Sequence, residues 1–179
     1  EGTSTIVQKC THDFDLITWW LDSREIKRIA SFGSMVHWDA RNKPVGAAER
    51  CLDCPDAICS KCPFDAMRLY VDDESLRYHF PDRTDDAMLK ILRETKYGQC
   101  VYSCGNDAVN RQSVIMEFTD GVVVTLEMEA FSKSRQRVTH FYGTRGEIVA
   151  DGEKIYVRPF IGEEIVVEPR MEEAHGGGD

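Results

Sequence analysis

No stretch of this chain is apolar enough over the ~20 residues that a membrane-crossing helix needs, so no membrane span is expected. No cluster of Lys and Arg stands out, and the formal net charge is −9. A binder of nucleic acid gains most of its affinity by neutralising phosphates, so a nucleic-acid partner is not expected. G-x-G-x-x-G after a strand and before a helix is absent, as is a P-loop. These residues alone therefore supply no dinucleotide or nucleotide cradle. Glu1 to Lys9 lacks the basic start and apolar middle of a signal peptide. Proline is scarce, and three of the six prolines fall between Asp39 and Asp73.

What is plentiful is cysteine. Cys10, Cys51, Cys54, Cys59, Cys62, Cys100 and Cys104 make an odd set, with four crowded between positions 51 and 62. Without a secretory signal, free thiols or a metal site in a reducing cytoplasm are expected rather than a disulfide framework. Cys51, Cys54, Cys59 and Cys62 read C-x2-C-x4-C-x2-C. Two C-x2-C pairs can each grip a metal, and four thiolates suit tetrahedral zinc. The x4 spacer is short for a zinc ribbon, so four reduced thiols packing a loop stand level with a structural zinc. Such a zinc would have no open position for a substrate.

The apolar pattern assigns the elements. Thr5 to Val7 reads as the end of a strand, with Thr11 capping a helix from about His12 to Leu21 whose buried face carries Phe14, Ile17 and Leu21. Ile26 to Trp38 reads as a strand broken near Gly33. Asp39 to Asp73 is irregular and cysteine-rich. Asp85 to Lys96 reads as a helix with Met88, Ile91 and Leu92 on one face and Gly98 at its end. Strands follow at Val114 to Phe118 and Val122 to Phe131, joined at Asp120-Gly121, where Val124, Leu126, Met128 and Ala130 alternate with polar residues. Val138 to Tyr142, Glu147 to Ala150, Lys154 to Val157 and Ile165 to Val167 complete the set. Early helices followed by consecutive hairpins predict an α+β fold: an open, mainly antiparallel sheet with helices on one face. A second subunit is expected to cover any apolar outer face, giving a homo-oligomer built through the sheet.

Four stretches, in order, look familiar. They are Cys10-Thr11-His12-Asp13-Phe14-Asp15-Leu16, Arg50-Cys51-Leu52-Asp53-Cys54-Pro55, Tyr97-Gly98-Gln99-Cys100-Val101-Tyr102 with Asn106-Asp107, and Gly143-Thr144-Arg145-Gly146-Glu147. Together they resemble the C-terminal domain of the Gfo/Idh/MocA oxidoreductases. The resemblance implies a preceding Rossmann domain that binds NAD or NADP. It further implies a domain spanning 1–179 that contacts substrate and mediates assembly, and hydride transfer at a hydroxyl-bearing carbon of a sugar, polyol or cyclitol. In that family an Asp and a His four residues apart serve the chemistry. His12 fits the His, whereas Gln8 stands where the Asp would be, and Lys9 is the nearest ionisable substitute. His12 is thus expected at a helix N-terminus, where a neutral imidazole is favoured as a base, with Lys9 orienting the hydroxyl. Tyr97, Asn106, Asp107 and Arg111 are the substrate contacts the resemblance implies.

Overall fold

The computed structural model describes residues 4–22, 24–133 and 136–169. The terminal glycines Gly176 to Gly178 lie outside them. The fold is α+β, with antiparallel strands arranged in two sheets rather than one. The chain divides into two compact units, residues 1–128 and 129–179, which are described separately.

The first unit begins with helix α1, Thr5–Trp20. This corrects the strand expected at Thr5 to Val7 and the cap expected at Thr11. Ile6 lies about two helical turns before Phe14 on the stripe that continues to Ile17 and Leu21, so the apolar stripe starts earlier than the β-branched residues suggest. All four pack against the same core. The Thr11 hydroxyl donates to the Val7 carbonyl one turn back instead of capping anything. Strand β1, Ile26–Ser34, pairs antiparallel with β2, Arg111–Phe118, and β2 lies next to β3, Val123–Glu129. Gly33 does not break β1. The register slips between Ile26 and Arg28, and the extra residue lets Lys27 and Arg28 both pair with Glu117.

Alternation divides this three-stranded sheet into two faces. Val114, Met116 and Phe118 point to one side and join Ile17 in the core, with Val124 and Leu126 of β3 packed against them. Phe118 is fully enclosed, at 0% exposure. The opposite face carries Phe32 of β1, Ile115 of β2 and Val123 of β3, all exposed. The hairpin from β2 to β3 turns at Thr119-Asp120-Gly121, with Gly121 at φ 88°, a conformation glycine adopts without a Cβ penalty.

Between β1 and β2 the segment expected to be irregular instead runs through short helical pieces joined by turns. Among them are 3-10 turns at Ala40–Asn42 and Cys51–Asp53 and a π-helical turn at Arg68–Asp72, with a 3-10 stretch at Glu74–His79 after them. One α-helical turn, α2, covers Asp56–Cys59. The regular piece is α3, Asp85–Glu94. Thr84 caps it by accepting from the Ala87 amide, Asp85 and Asp86 occupy its first turn, and Met88 and Leu92 are buried. The chain leaves α3 through a 3-10 turn at Lys96–Gly98. Here Gly98 is required by a close approach rather than by a cap, because a Cβ would sit 1.8 Å from the Leu92 carbonyl oxygen.

The second unit is a meander of four antiparallel strands in sequential order. They are β4 Thr139–Gly143, β5 Gly146–Ala150, β6 Ile155–Pro159 and β7 Ile165–Val167. Gly146, at φ 155°, opens β5, where a Cβ would meet the Arg158 carbonyl oxygen at 2.4 Å. Asp151 shapes the next turn, its carboxylate accepting from the amides of Glu153 and Lys154. Among the described residues, no helix is long and apolar enough to cross a membrane.

Candidate substrate face, aromatic groove and cysteine centre

His12 lies in the third turn of α1, about two turns from Thr5, and not at a helix N-terminus. The field of a helix end fades within its first turn, so the expected dipole effect on His12 does not apply. Its side chain is exposed, as is that of Lys9. With the buried face fixed by Ile6, Cys10, Phe14 and Ile17, the 3.6-residue period sets Gln8, His12, Leu16 and Trp19 along the outward stripe. Lys9 and Trp20 flank it. Trp19 is 72% exposed, an unusual position for so large an apolar surface.

A groove of about 370 Å³ lies elsewhere in the first unit. Trp38, Phe64, Tyr70 and Tyr97 supply its aromatic walls, and Lys96 and Gln99 its polar groups. The rings brace one another edge to face: Trp38 to Phe64 at 5.4 Å, Tyr70 to Tyr97 at 5.7 Å, and Phe80 to Tyr97 at 5.1 Å. Burial, with Tyr97 beside it, pushes the Tyr70 phenol up, so this hydroxyl stays protonated and can donate. Aromatic walls with a few placed donors suit a ring that carries both C–H faces and hydroxyls.

Of the four substrate contacts expected, Tyr97 lines this groove. Asn106, Asp107 and Arg111 do not. Asn106 closes a local turn by accepting from the Ala108 amide at 3.2 Å, Asp107 is exposed, and Arg111 begins β2 opposite Ser34. The groove residues that sequence reasoning missed are Trp38, Phe64, Tyr70, Lys96 and Gln99. The motif Tyr97-Gly98-Gln99 contains two of the lining positions, of which Tyr97 alone was expected to contact substrate. Nothing local linked them to Trp38, which lies beyond the strand expected to include it because β1 ends at Ser34, or to Phe64 of the cysteine-rich segment.

The cysteines form the second centre. Arg50 and Gln99 make a single antiparallel bridge, and the Cys100 amide donates to the Glu49 carbonyl at 2.9 Å. The Arg50 guanidinium locks this bridge by donating to the carbonyls of Leu92 and Thr95, both at 2.6 Å. Cys51 and Cys100, far apart in sequence, thereby become neighbours. Each C-x2-C pair closes the same way, with Cys54 N–H on the Cys51 carbonyl at 3.1 Å and Cys62 N–H on the Cys59 carbonyl at 3.0 Å. Cys51, Cys54, Cys59, Cys62 and Cys100 all line one small cavity of about 20 Å³, beside Ile58.

All seven cysteines are free thiols. Burial pushes Cys51 up, reinforced by Asp65 and the neighbouring Cys100 and Cys62, although the Ala66 amide bonds to it and pulls the other way. Cys62 is raised in the same manner, opposed by the Phe64 amide. Among the described residues, no three Cys, His, Asp or Glu side chains already stand as a set of metal ligands. Tyr102 links the two centres. It lines the thiol cavity, its hydroxyl oxygen lies 3.1 Å from His37 Nε2, and its ring meets Phe64 at 6.2 Å. His37 holds φ at 72°, a strained setting for a residue with a Cβ. No protein-family model, curated protein or solved structure matches this chain.

Proposed function

We propose that this chain is the substrate-binding and assembly half of an NAD(P)-dependent oxidoreductase that acts on a hydroxyl of a sugar, polyol or cyclitol. The motif resemblance supports this reading, and one structural observation carries it: α1 exposes His12 and Lys9 about one to three turns before the exposed apolar surfaces of Leu16 and Trp19. An apolar helix face beside an ionisable pair suits a surface that another body covers. In this reading the cover is a Rossmann domain carrying the nicotinamide, preceding this chain in the same polypeptide.

His12 would accept the proton of the substrate hydroxyl, and a bound nicotinamide would supply the chemistry of taking hydride from the carbon that bears it. Lys9 holds the substrate oxygen. Gln8, a neutral amide, can orient a hydroxyl but cannot take its proton. The outer sheet face with Phe32, Ile115 and Val123 serves assembly into a homo-oligomer. Seven free thiols suit a reducing cytoplasm.

The test joins this chain to its nucleotide-binding half and follows NAD(P)H formation over a panel of polyols and sugars. His12→Ala is expected to lower kcat by about 10²- to 10⁴-fold, the usual worth of a general base. Full activity in the double variant His12→Ala, Lys9→Ala would remove both from the chemistry. A second reading rests on Gln8: without the family carboxylate, the chain serves as a non-catalytic binding and assembly module. No turnover on any substrate by the joined protein, with its fold intact, would favour that.

A further inference from the structure

The sequence spacing groups Cys51, Cys54, Cys59 and Cys62, but the fold groups the thiols differently. The bridge between Arg50 and Gln99 brings Cys100 onto the same cavity as the two C-x2-C turns. Cys59 sits at the end of α2, and its thiol donates to the Asp56 carbonyl within its own helical turn, at 3.7 Å. We propose that Cys51, Cys54, Cys62 and Cys100 bind one zinc ion as a closed tetrathiolate, and that Cys59 stays outside the coordination sphere.

Three further observations fit this assignment. The cavity, about 20 Å³, has room for about one water-sized body. That suits a single ion. Two of the four sulfurs already receive backbone amides, Ala66 to Cys51 and Phe64 to Cys62. Amide donors of this kind stabilise metal-bound thiolates and orient them. Cys51, Cys62 and Cys100 lie close enough to influence one another electrostatically, and Cys54 lies close to Cys62.

Binding requires the four side chains to turn inward onto a common point and to release their protons as the ion enters. Four thiolates leave no site for a substrate, so the ion is structural. It ties the loop at 51–62 to the segment at 100, beside Tyr102, whose ring meets Phe64 of the aromatic groove.

The test uses the whole 179-residue chain, purified with reduced thiols, loaded with zinc or cobalt(II) and stripped of loosely held metal. Elemental analysis is expected to give one zinc per chain. The cobalt(II) form is expected to show intense tetrahedral d–d bands and sulfur-to-cobalt charge transfer. In chelator competition Cys100→Ser should bind zinc at least about 100-fold more weakly, by loss of a direct ligand. Cys59→Ser should stay within about threefold of the parent, the range left for a thiol outside the coordination sphere. Should Cys100→Ser fail to fold, Cys100→His keeps the question open to measurement, because imidazole replaces one thiolate, retains the zinc and shifts the cobalt bands. A parent chain that takes up no zinc overturns the proposal. So does iron with acid-labile sulfide, or loss of zinc in Cys59→Ser with retention in Cys100→Ser. None of these readouts depends on dehydrogenase activity, so failure here and failure of the oxidoreductase reading are separate results.

Discussion

The two sheets of this protein obey the same alternation but meet it with different means. The sheet of β1, β2 and β3 has a helix over one face, and its β2 residues Val114, Met116 and Phe118 are all buried. The sheet of β4 to β7 has shorter strands, of 3 to 5 residues against 7 to 9, and none of its described residues is among the buried hydrophobics. Tyr142 of β4 is 81% exposed, and all three residues of β7 are exposed. Strand pattern alone therefore does not make a core: a second layer does. The second sheet is held by its ladder, its turns and a surface network in which Arg158 meets Glu147 and Glu164.

Mutations that probe each sheet in turn should separate the two regimes. The largest effect is expected from Phe118→Ala, which empties a fully enclosed site and should cost about 3–5 kcal/mol in denaturant unfolding of the whole chain. An effect below about 1 kcal/mol would mean that this core is looser than its burial implies. Val157→Ala, on the half-buried β6, should cost about 1 kcal/mol or less, because less apolar area leaves water. A loss as large as that of Phe118→Ala would reveal a cover over the second sheet and erase the contrast.

The smallest effect concerns pH. Glu147 is held below the ordinary glutamate range, chiefly by its hydrogen bond with His140 and then by Arg158. A carboxylate with a depressed folded pKa stabilises the fold above its unfolded value. That contribution fades as the pH falls through the folded value. Melting temperature measured between about pH 6 and pH 3 should drop less steeply in Glu147→Gln than in the parent. Parallel curves would show that the network contributes nothing measurable, as holds for many exposed pairs.

How much of this was legible beforehand follows from the range of each interaction. The hairpin at Asp120-Gly121, the alternation of Val124 and Leu126, and the capped start of α3 are local, and all could be read from neighbouring letters. The start of α1 was misread because Thr5, Ile6 and Val7 favour strands intrinsically, while partial burial of Ile6 against the core of Ile17, Val114, Met116 and Phe118 favours a helix. Burial is a tertiary fact. The same reason hid the company of Cys100. Its spacing to Cys51 is arbitrary in sequence and becomes meaningful only through the Arg50–Gln99 bridge. Likewise, Tyr97 was legible within a motif, whereas the Phe64 wall of its groove comes from a segment without periodicity and Trp38 lies past the end of β1.

That bridge has a consequence for how the middle of the chain opens and closes. It fastens a loop of roughly fifty residues, whose closure alone costs on the order of 3 kcal/mol of chain entropy. One backbone bond contributes about 1 kcal/mol net. The latch is therefore too weak to hold by itself and depends on the Arg50 clamp, the close approach at Gly98 and the packing around the thiols. A long loop with a short latch comes free all at once, so the region from Arg50 to Gln99 behaves as one cooperative unit within the larger fold.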